Sequence, residues 1–581
     1  MRLKKDFLCG VTAVVLAAAL LTGCGGGGGG ESPASPSGPN NSASTPSNPA
    51  SSGSSSSSTS SSSSSASSSS EAPSSSDTQE PEEPGDGIEW TYKDNGNGTA
   101  TLTGYNKSGK KVPSGAVTIP RRVGGKKLTV TAIGDKCFYQ DNNITSVVIS
   151  DTVKSIGSSA FYQCENLSAV SFPEGLQTIG NYAFAYDSLV EVTVPESVTT
   201  LGNDVFKYNK TLRTARILGC AKLGSSIFED CTGLETAQIE GSMSELPVLM
   251  FDGCKQLKNV TLSKNIRVIG SSAFRNCTSL NEIALPEGVT NIGGSAFSNC
   301  SSLKSIVIPK NVTEIQSSTF SNCTALTSIS LPTNLSILGN SVFSGCSALT
   351  NISLPQKMTS IGYSAFENCK SLERIALPEG ISTISKNLFA GCTSLASVTI
   401  PNGVLDIGWY AFSNCTTLEK IVLPNGMKTI DDSVFSGCKT LKEITLPDSI
   451  NTIGGSVFNG NTSLEKITLP KQLKSLGYAA FGRCVNLHKV VLPEGLTNVG
   501  QYVFTGCSSL ECVYIPRSLT RIESYMFQYC KYVEVCYGGS ETQWSQMSID
   551  GYTENGTNKE LYKAPKHFNA QPSDINKYSR F

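Results

Sequence analysis

From Phe138 to Phe527 the chain repeats one arrangement of apolar and polar positions. Phenylalanines fall at 138, 161, 184, 206, 228, 251, 274, 297, 320, 343, 366, 389, 412, 435, 458, 481, 504 and 527, and every step is 23 residues except two of 22. A clean unit, Leu280 to Ser302, reads LNEIALPEGVTNIGGSAFSNCSS. Its pattern is L-x-x-I-x-L-P, a turn, V-x-x-I-G-x-x-A-F, then x-x-C. The I-x-L step places two apolar residues on one side of an extended segment, the period of a strand. Leu280, Ile283 and Leu285 return as Leu303, Ile306 and Ile308, and again as Leu441, Ile444 and Leu446. Proline then removes an amide donor and ends the strand. Pro-Glu-Gly or Pro-Asn-Gly at Pro286, Pro378, Pro401, Pro424 and Pro493 supplies turn chemistry. Val289, Ile292, Ala296 and Phe297 bring the second half back to the same core. One unit leaves its apolar face open, so neighbours must stack. At ~4.8 Å per coil, the stack extends roughly 85 Å.

This motif, L-x-x-I-x-L-P-x-x-V-x-x-I-G-x-x-A-F-x-x-C, resembles that of the BspA-like leucine-rich repeat surface proteins. The resemblance runs from about Ile88 to the mid-550s. It implies a β-rich, α/β-type repeat solenoid: a right-handed superhelix of about 18 coils with a concave parallel sheet and capped ends. Two copies depart from the pattern. Between Phe206 and Phe251, RILGCAKLGSSIF and IEGSMSELPVLMF lack the strand-ending proline in its usual place, so curvature and strand length there stay open.

Three residues after the phenylalanine lie Cys164, Cys231, Cys254, Cys277, Cys300, Cys323, Cys346, Cys369, Cys392, Cys415, Cys438, Cys484, Cys507 and Cys530. The other four slots hold Asp141, Asp187, Asn209 and Asn461. All are short side chains able to hydrogen-bond nearby backbone, which fits a structural ladder at the turn between coils. Disulfides fit less well. Cys164 has no cysteine in either adjacent coil, and stacked side chains run parallel where a disulfide needs Cβ atoms within ~3.5–4.5 Å. A zinc site needs ligands that converge on a point, and a line of thiols does not. No metal or cofactor is expected; some bridges and a metal remain the alternatives to the ladder. Off the ladder, Cys137, Cys220, Cys512 and Cys536 are open as to bridging, with Cys512 read as facing outward.

The flanks differ in kind. Arg2, Lys4 and Lys5 precede an apolar run, Val11 to Leu21 broken only by Thr12, too short to span a bilayer comfortably. Leu21-Thr22-Gly23-Cys24 resembles the lipobox of bacterial lipoproteins, which implies cleavage before Cys24 and acylation of its thiol. Residues 25–87 contain no Val, Ile, Leu, Phe, Tyr, Trp, Lys or Arg. Such a segment cannot bury enough apolar surface to offset ordering entropy, and its glycines read as tether rather than phosphate cradle. The expected organisation is therefore a signal peptide over 1–23, a Gly/Ser/Pro-rich tether over 24–87, an N-terminal β cap over 88–135, the solenoid over 136–536, and a C-terminal cap and tail over 537–581. Trp90 to Tyr105 predicts two strands around Asn-Gly-Asn-Gly. Ser540-Glu541-Thr542-Gln543 predicts a capping box that sets Trp544 over the last coil.

Charge narrows the function. The formal net charge is −1, without the basic excess of a nucleic-acid binder. The chain has 20 cysteines but only two histidines, His488 and His567. No paired-carboxylate site or nucleophile elbow emerges, and no insertion interrupts the repeat from Phe228 to Phe527, so an enzyme is not expected. If the sheet lines the concave face, two columns ahead of the strand isoleucine are readable, two residues and one residue before it. One runs Glu419, Lys442, Glu465, His488, Glu511; the next runs Arg374, Ser397, Lys420, Glu443, Lys466, Lys489. Arg374, Lys420, Lys442, Glu443, Glu465, Lys466, His488 and Lys489 are the candidate ligand-facing residues. The bland alternative is a solvated, self-neutralising face. Lipid, tether and a long repeated face point to a lipid-anchored cell-surface adhesion module for a protein or glycan of host, matrix or neighbouring cell. It would meet the membrane only through its N-terminal lipid. A passive stalk and a polysaccharide-handling accessory protein are the alternatives.

Overall fold

The computed structural model describes residues 86–578. The signal peptide, Cys24 and nearly all of the tether lie outside the described residues.

Each coil of the repeat closes three ladders of hydrogen bonds to the coil beside it. The first is the expected strand stack at I-x-L. Its parallel partners sit in one-to-one register, as in Thr214–Ile217 on Thr236–Ile239 and Ser305–Val307 on Ser328–Ser330. The stack is a series of short sheets of two to four strands, and strand pairing lapses at residues 281–286 and 350–355. Proline explains the shortness, because it leaves each strand without its last donor. Two of the coils that lack it, with Leu218 and Glu240 in its place, show the converse. Leu218 N–H donates to Val194 O at 3.1 Å and Glu240 N–H donates to Ile217 O at 2.9 Å, one rung more than a proline permits. Those coils carry four-residue strands inside a four-stranded sheet, Glu191–Val194 to Asn259–Leu262.

The second ladder lies in the return half of the coil. The residue pair before the I-G glycine forms a two-residue parallel strand in almost every coil, as in Val268–Ile269 on Asn291–Ile292. The glycine belongs to this stack: Gly477 N–H donates to Ile453 O at 2.8 Å. A Cβ on Gly477 would stand 2.4 Å from the carbonyl carbon of Gly454, a separation side chains do not reach.

The third ladder runs along the phenylalanines. Phe297 N–H donates to Thr319 O of the next coil at 2.9 Å. The 18 rings form one buried column, with neighbouring centroids 4.9 to 5.9 Å apart and planes within 20° of parallel. Two residues on either side of each phenylalanine the backbone turns left-handed. Ser295 and Asn299 flank Phe297 with φ of 57° and 62°. Asparagine suits such slots better than most side chains.

Both ends are closed by non-repeating chain. Trp90–Asp94 and Thr99–Tyr105 pair antiparallel, and Trp90 and Tyr105 lie against Phe138 with centroids 6.1 and 6.2 Å away. At the far end the helix Glu541–Ser545 begins with a reciprocal capping box between Ser540 and Gln543. Trp544 is buried edge-on to Tyr537. The tail then folds back. Lys566–His567 adds a strand beside Glu534–Tyr537, and the short 3-10 helix Pro572–Asn576 lies over the strands Lys489–Val491, Cys512–Ile515 and Glu534–Tyr537.

Candidate functional site: the outer strand face

The outer side of the I-x-L stack is a regular surface along the solenoid. Its central column, the x of I-x-L, runs Thr261, Ala284, Val307, Ser330, Ser353, Ala376, Thr399, Val422, Thr445, Thr468 and Val491 without a single charge. Val307 and Val422 are 69% and 64% exposed, so the column faces solvent. The charged columns lie beside it. Arg374, Lys420, Lys442, Glu443, Glu465 and Lys466 are all exposed. Glu443 and Lys466 meet at 3.6 Å, in the second of the two columns. Both are well exposed, so the pair contributes ~0–1 kcal/mol. Among the described residues, Arg374, Lys420 and Lys442 make no ion pair within 4 Å.

His488 and Lys489 do not share this exposure. Both are half-buried, because the tail covers their end of the face. His488 Nδ1 lies 4.0 Å from Glu511 Oε1. It lines a cavity of about 350 Å³ with Glu511, Tyr532, Glu534, Pro565 and Tyr578. The other histidine, His567, holds the tail down: its Nε2 is 3.1 Å from Glu534 Oε2, and its ring stacks on Tyr578 at 3.6 Å. The larger concavity, about 1000 Å³, opens elsewhere on the face, over the pairing lapse at 281–286. Thr261, Glu282, Ala284, Ser305, Val307 and Lys310 are among its walls. None of the candidate ligand-facing residues lines it. Its sequence carries no warning, since Leu280 to Ser302 is a clean copy of the repeat.

The ladder cysteines lie inside, away from this face. Thirteen of the fourteen are fully buried and Cys530 is 6% exposed. Every Sγ–H donates to the phenylalanine carbonyl of the preceding coil, at 3.0 to 3.3 Å. Phe274 O, for example, accepts from Cys277 N–H at 3.2 Å and from Cys300 Sγ at 3.1 Å. Burial pushes the thiols up, Cys323 to about 12, so nucleophilic thiolate is scarce at neutral pH. Of the off-ladder thiols, Cys137 is buried, Cys220 donates to Lys222 O at 3.0 Å, and no cysteine among the described residues is bridged. The reading of Cys512 as solvent-facing is corrected. It does lie on the outer side of its strand, yet it is fully buried, because Ala570 and Ile575 of the tail pack over it.

Stacked parallel coils, an unbroken aromatic column and one thiol ladder define a leucine-rich-repeat solenoid. The chain belongs to the BspA type leucine-rich repeat family, whose model matches in six copies over residues 131–258, 218–327, 244–370, 315–442 and 406–534. Among solved structures it is similar to a leucine-rich repeat protein from Bacteroides ovatus, 26% identical over 79% of this chain and 100% of that one, with a TM-score of 0.49. It is also similar to a leucine-rich cell surface protein from Faecalibacterium prausnitzii, 25% identical over 79% and 96%, with a TM-score of 0.34. A leucine-rich repeat protein from Bacteroides capillosus is 37% identical over 22% of this chain and 93% of its own, with a TM-score of 0.20. No curated protein matches the chain.

Proposed function

We propose that the chain is an exported binding module, anchored by a lipid on Cys24 and held off the membrane by the segment that follows. It attaches its cell to a protein or glycan of a host, matrix or neighbouring cell. The observation that carries this reading is the outer strand face. A charge-free column of small side chains runs beside the charged columns, and three of the neighbouring cations, Arg374, Lys420 and Lys442, make no ion pair within 4 Å among the described residues. A face that served only solubility would gain from pairing those charges with its own carboxylates.

Two experiments test the two halves of the proposal. The purified chain is screened against matrix proteins and cell-surface glycans, with the triple variant Arg374→Glu, Lys420→Glu, Lys442→Glu beside it. Saturable binding that weakens about tenfold or more, the weight of ~1.4 kcal/mol, supports the face as the site. Undiminished binding moves the site elsewhere, and no binding at all leaves a stalk. For the anchor, Cys24→Ser should abolish incorporation of labelled fatty acid and release the protein from membranes; continued labelling would reject acylation at Cys24.

A further inference from the structure

We propose that Cys512 and Cys536 are a reversible dithiol–disulfide couple beneath the C-terminal tail, and that oxidising the pair loosens the tail. Their Sγ atoms lie 3.4 Å apart, both fully buried. They are set apart from the ladder in every respect. Each ladder thiol faces the core and gives its hydrogen to a backbone carbonyl, whereas these two lie on the outer side of their strands and meet each other. They belong to a separate small apolar cluster with Tyr514, Ala570 and Ile575. The two thiols share one hydrogen, which either sulfur can give. Whichever thiol loses its proton first is the nucleophile, and the other resolves the mixed disulfide.

The oxidant is a disulfide, R–S–S–R. One thiolate of the pair attacks one of its sulfurs, forming a mixed disulfide and expelling one thiolate. The other protein thiol, losing its proton, then attacks the bound protein sulfur and expels the second. Two protein thiols and one disulfide become one protein disulfide and two R–SH, with electrons and protons balanced.

Register makes the product strained. Cys512 pairs with Glu534 and Cys536 pairs with Tyr514, so the two cysteines sit across a diagonal of the parallel strands. Strand spacing and rise put their Cα atoms ~8 Å apart, while a disulfide holds them within ~7 Å. Bond formation must draw the last strand along its neighbour by ~1 Å or more, and a strained disulfide is the more readily reduced. That last strand also seats the tail. Val535 pairs with Lys566, Cys536 pairs with His567, and Ala570 N–H donates to Tyr537 O at 3.0 Å. Sliding the strand disturbs all three contacts.

The test uses the full chain in its folded form. After oxidised glutathione, the remaining thiols are alkylated in denaturant and the peptides mapped. The expected result is one internal link joining Cys512 to Cys536, every ladder cysteine alkylated, and faster amide exchange at residues 566–577, all reversed by dithiothreitol. Recovery of both cysteines alkylated, stable glutathione adducts on each, or links to ladder cysteines would overturn the couple. Unchanged exchange in the cross-linked form would overturn the coupling to the tail. Ile575→Ser, which thins the cover, should form the link several-fold faster, and an unchanged rate would show that the tail does not guard the pair.

Discussion

At the scale of the residue, the ladder slot makes one demand: a short side chain that gives a hydrogen to the phenylalanine carbonyl of the preceding coil. Cysteine meets it, and so does Asn209, whose Nδ2 donates to Phe184 O at 2.7 Å. Among the slots with a preceding phenylalanine coil, two occupants fall short. Both amide atoms of Asn461 are buried without a hydrogen-bond partner. A buried unsatisfied polar group costs ~1–3 kcal/mol, so Asn461→Cys should raise stability by about 1–2 kcal/mol in urea unfolding. A loss of stability would mean that the amide has a role the coil does not reveal. Asp187 accepts from Cys164 N–H at 2.8 Å through Oδ1, while Oδ2 is buried without a partner. Burial pushes its carboxyl well above the usual carboxylate range. The folded pKa exceeds the unfolded one, so the protonated form favours folding. That contribution is whole below the unfolded pKa and is lost as pH rises through the folded pKa. Stability of the wild-type chain should therefore decline as pH rises out of the acidic range, and Asp187→Asn should remove that part of the slope. Urea melts at a series of pH values read it directly; parallel profiles for the two proteins would rule it out.

At the scale of the element, each coil is held by a ring packed between two other rings. Phe320 has neighbours at 5.6 and 5.8 Å and no exposed surface. Phe320→Ala should cost ~3–5 kcal/mol, because three bonded ladders keep the adjacent coils from closing on the void. A cost near 1 kcal/mol would show that they do close. The same coil shows what could be read in advance. Period, apolar core, proline stop and cysteine ladder all follow from residue spacing, since each is a side-chain property repeated at a fixed interval. The two-residue strands before the I-G glycine were not legible, because an apolar return to the core looks the same whether or not its backbone pairs. The left-handed turns were hidden too: Ser, Asn, Gln and Tyr fill them as well as Gly, and Ser295 or Tyr410 announces nothing. At the candidate site, the exposed Arg374, Lys420 and Lys442 followed from register alone. The half-buried state of His488 and Lys489 did not, because the tail that covers them is outside the repeat and no periodicity says where it folds.

At the scale of the whole molecule, the hydrogen bonds of the repeat are either turns within a coil or links to a residue about 23 positions away, so each coil is coupled only to its neighbours. In such an array stability is close to a sum of coil and interface terms, and the ends decide where opening begins. One buried side chain joins the C-terminal segment to the last phenylalanine coil. Asn558 accepts from Met526 N–H at 3.0 Å and donates to Glu523 O at 2.9 Å and Asp550 O at 2.7 Å. Three backbone groups, two of them in the last phenylalanine coil, depend on that amide. Asn558→Ala leaves them buried and unpaired, at ~1–3 kcal/mol for each group that water cannot reach. The loss should stay local. Amide exchange should quicken from about Arg521 through the tail and remain unchanged around Cys300, some ten coils away. A uniform quickening along the chain would instead mean that the solenoid opens as one unit, and that the cap sets the stability of the whole array.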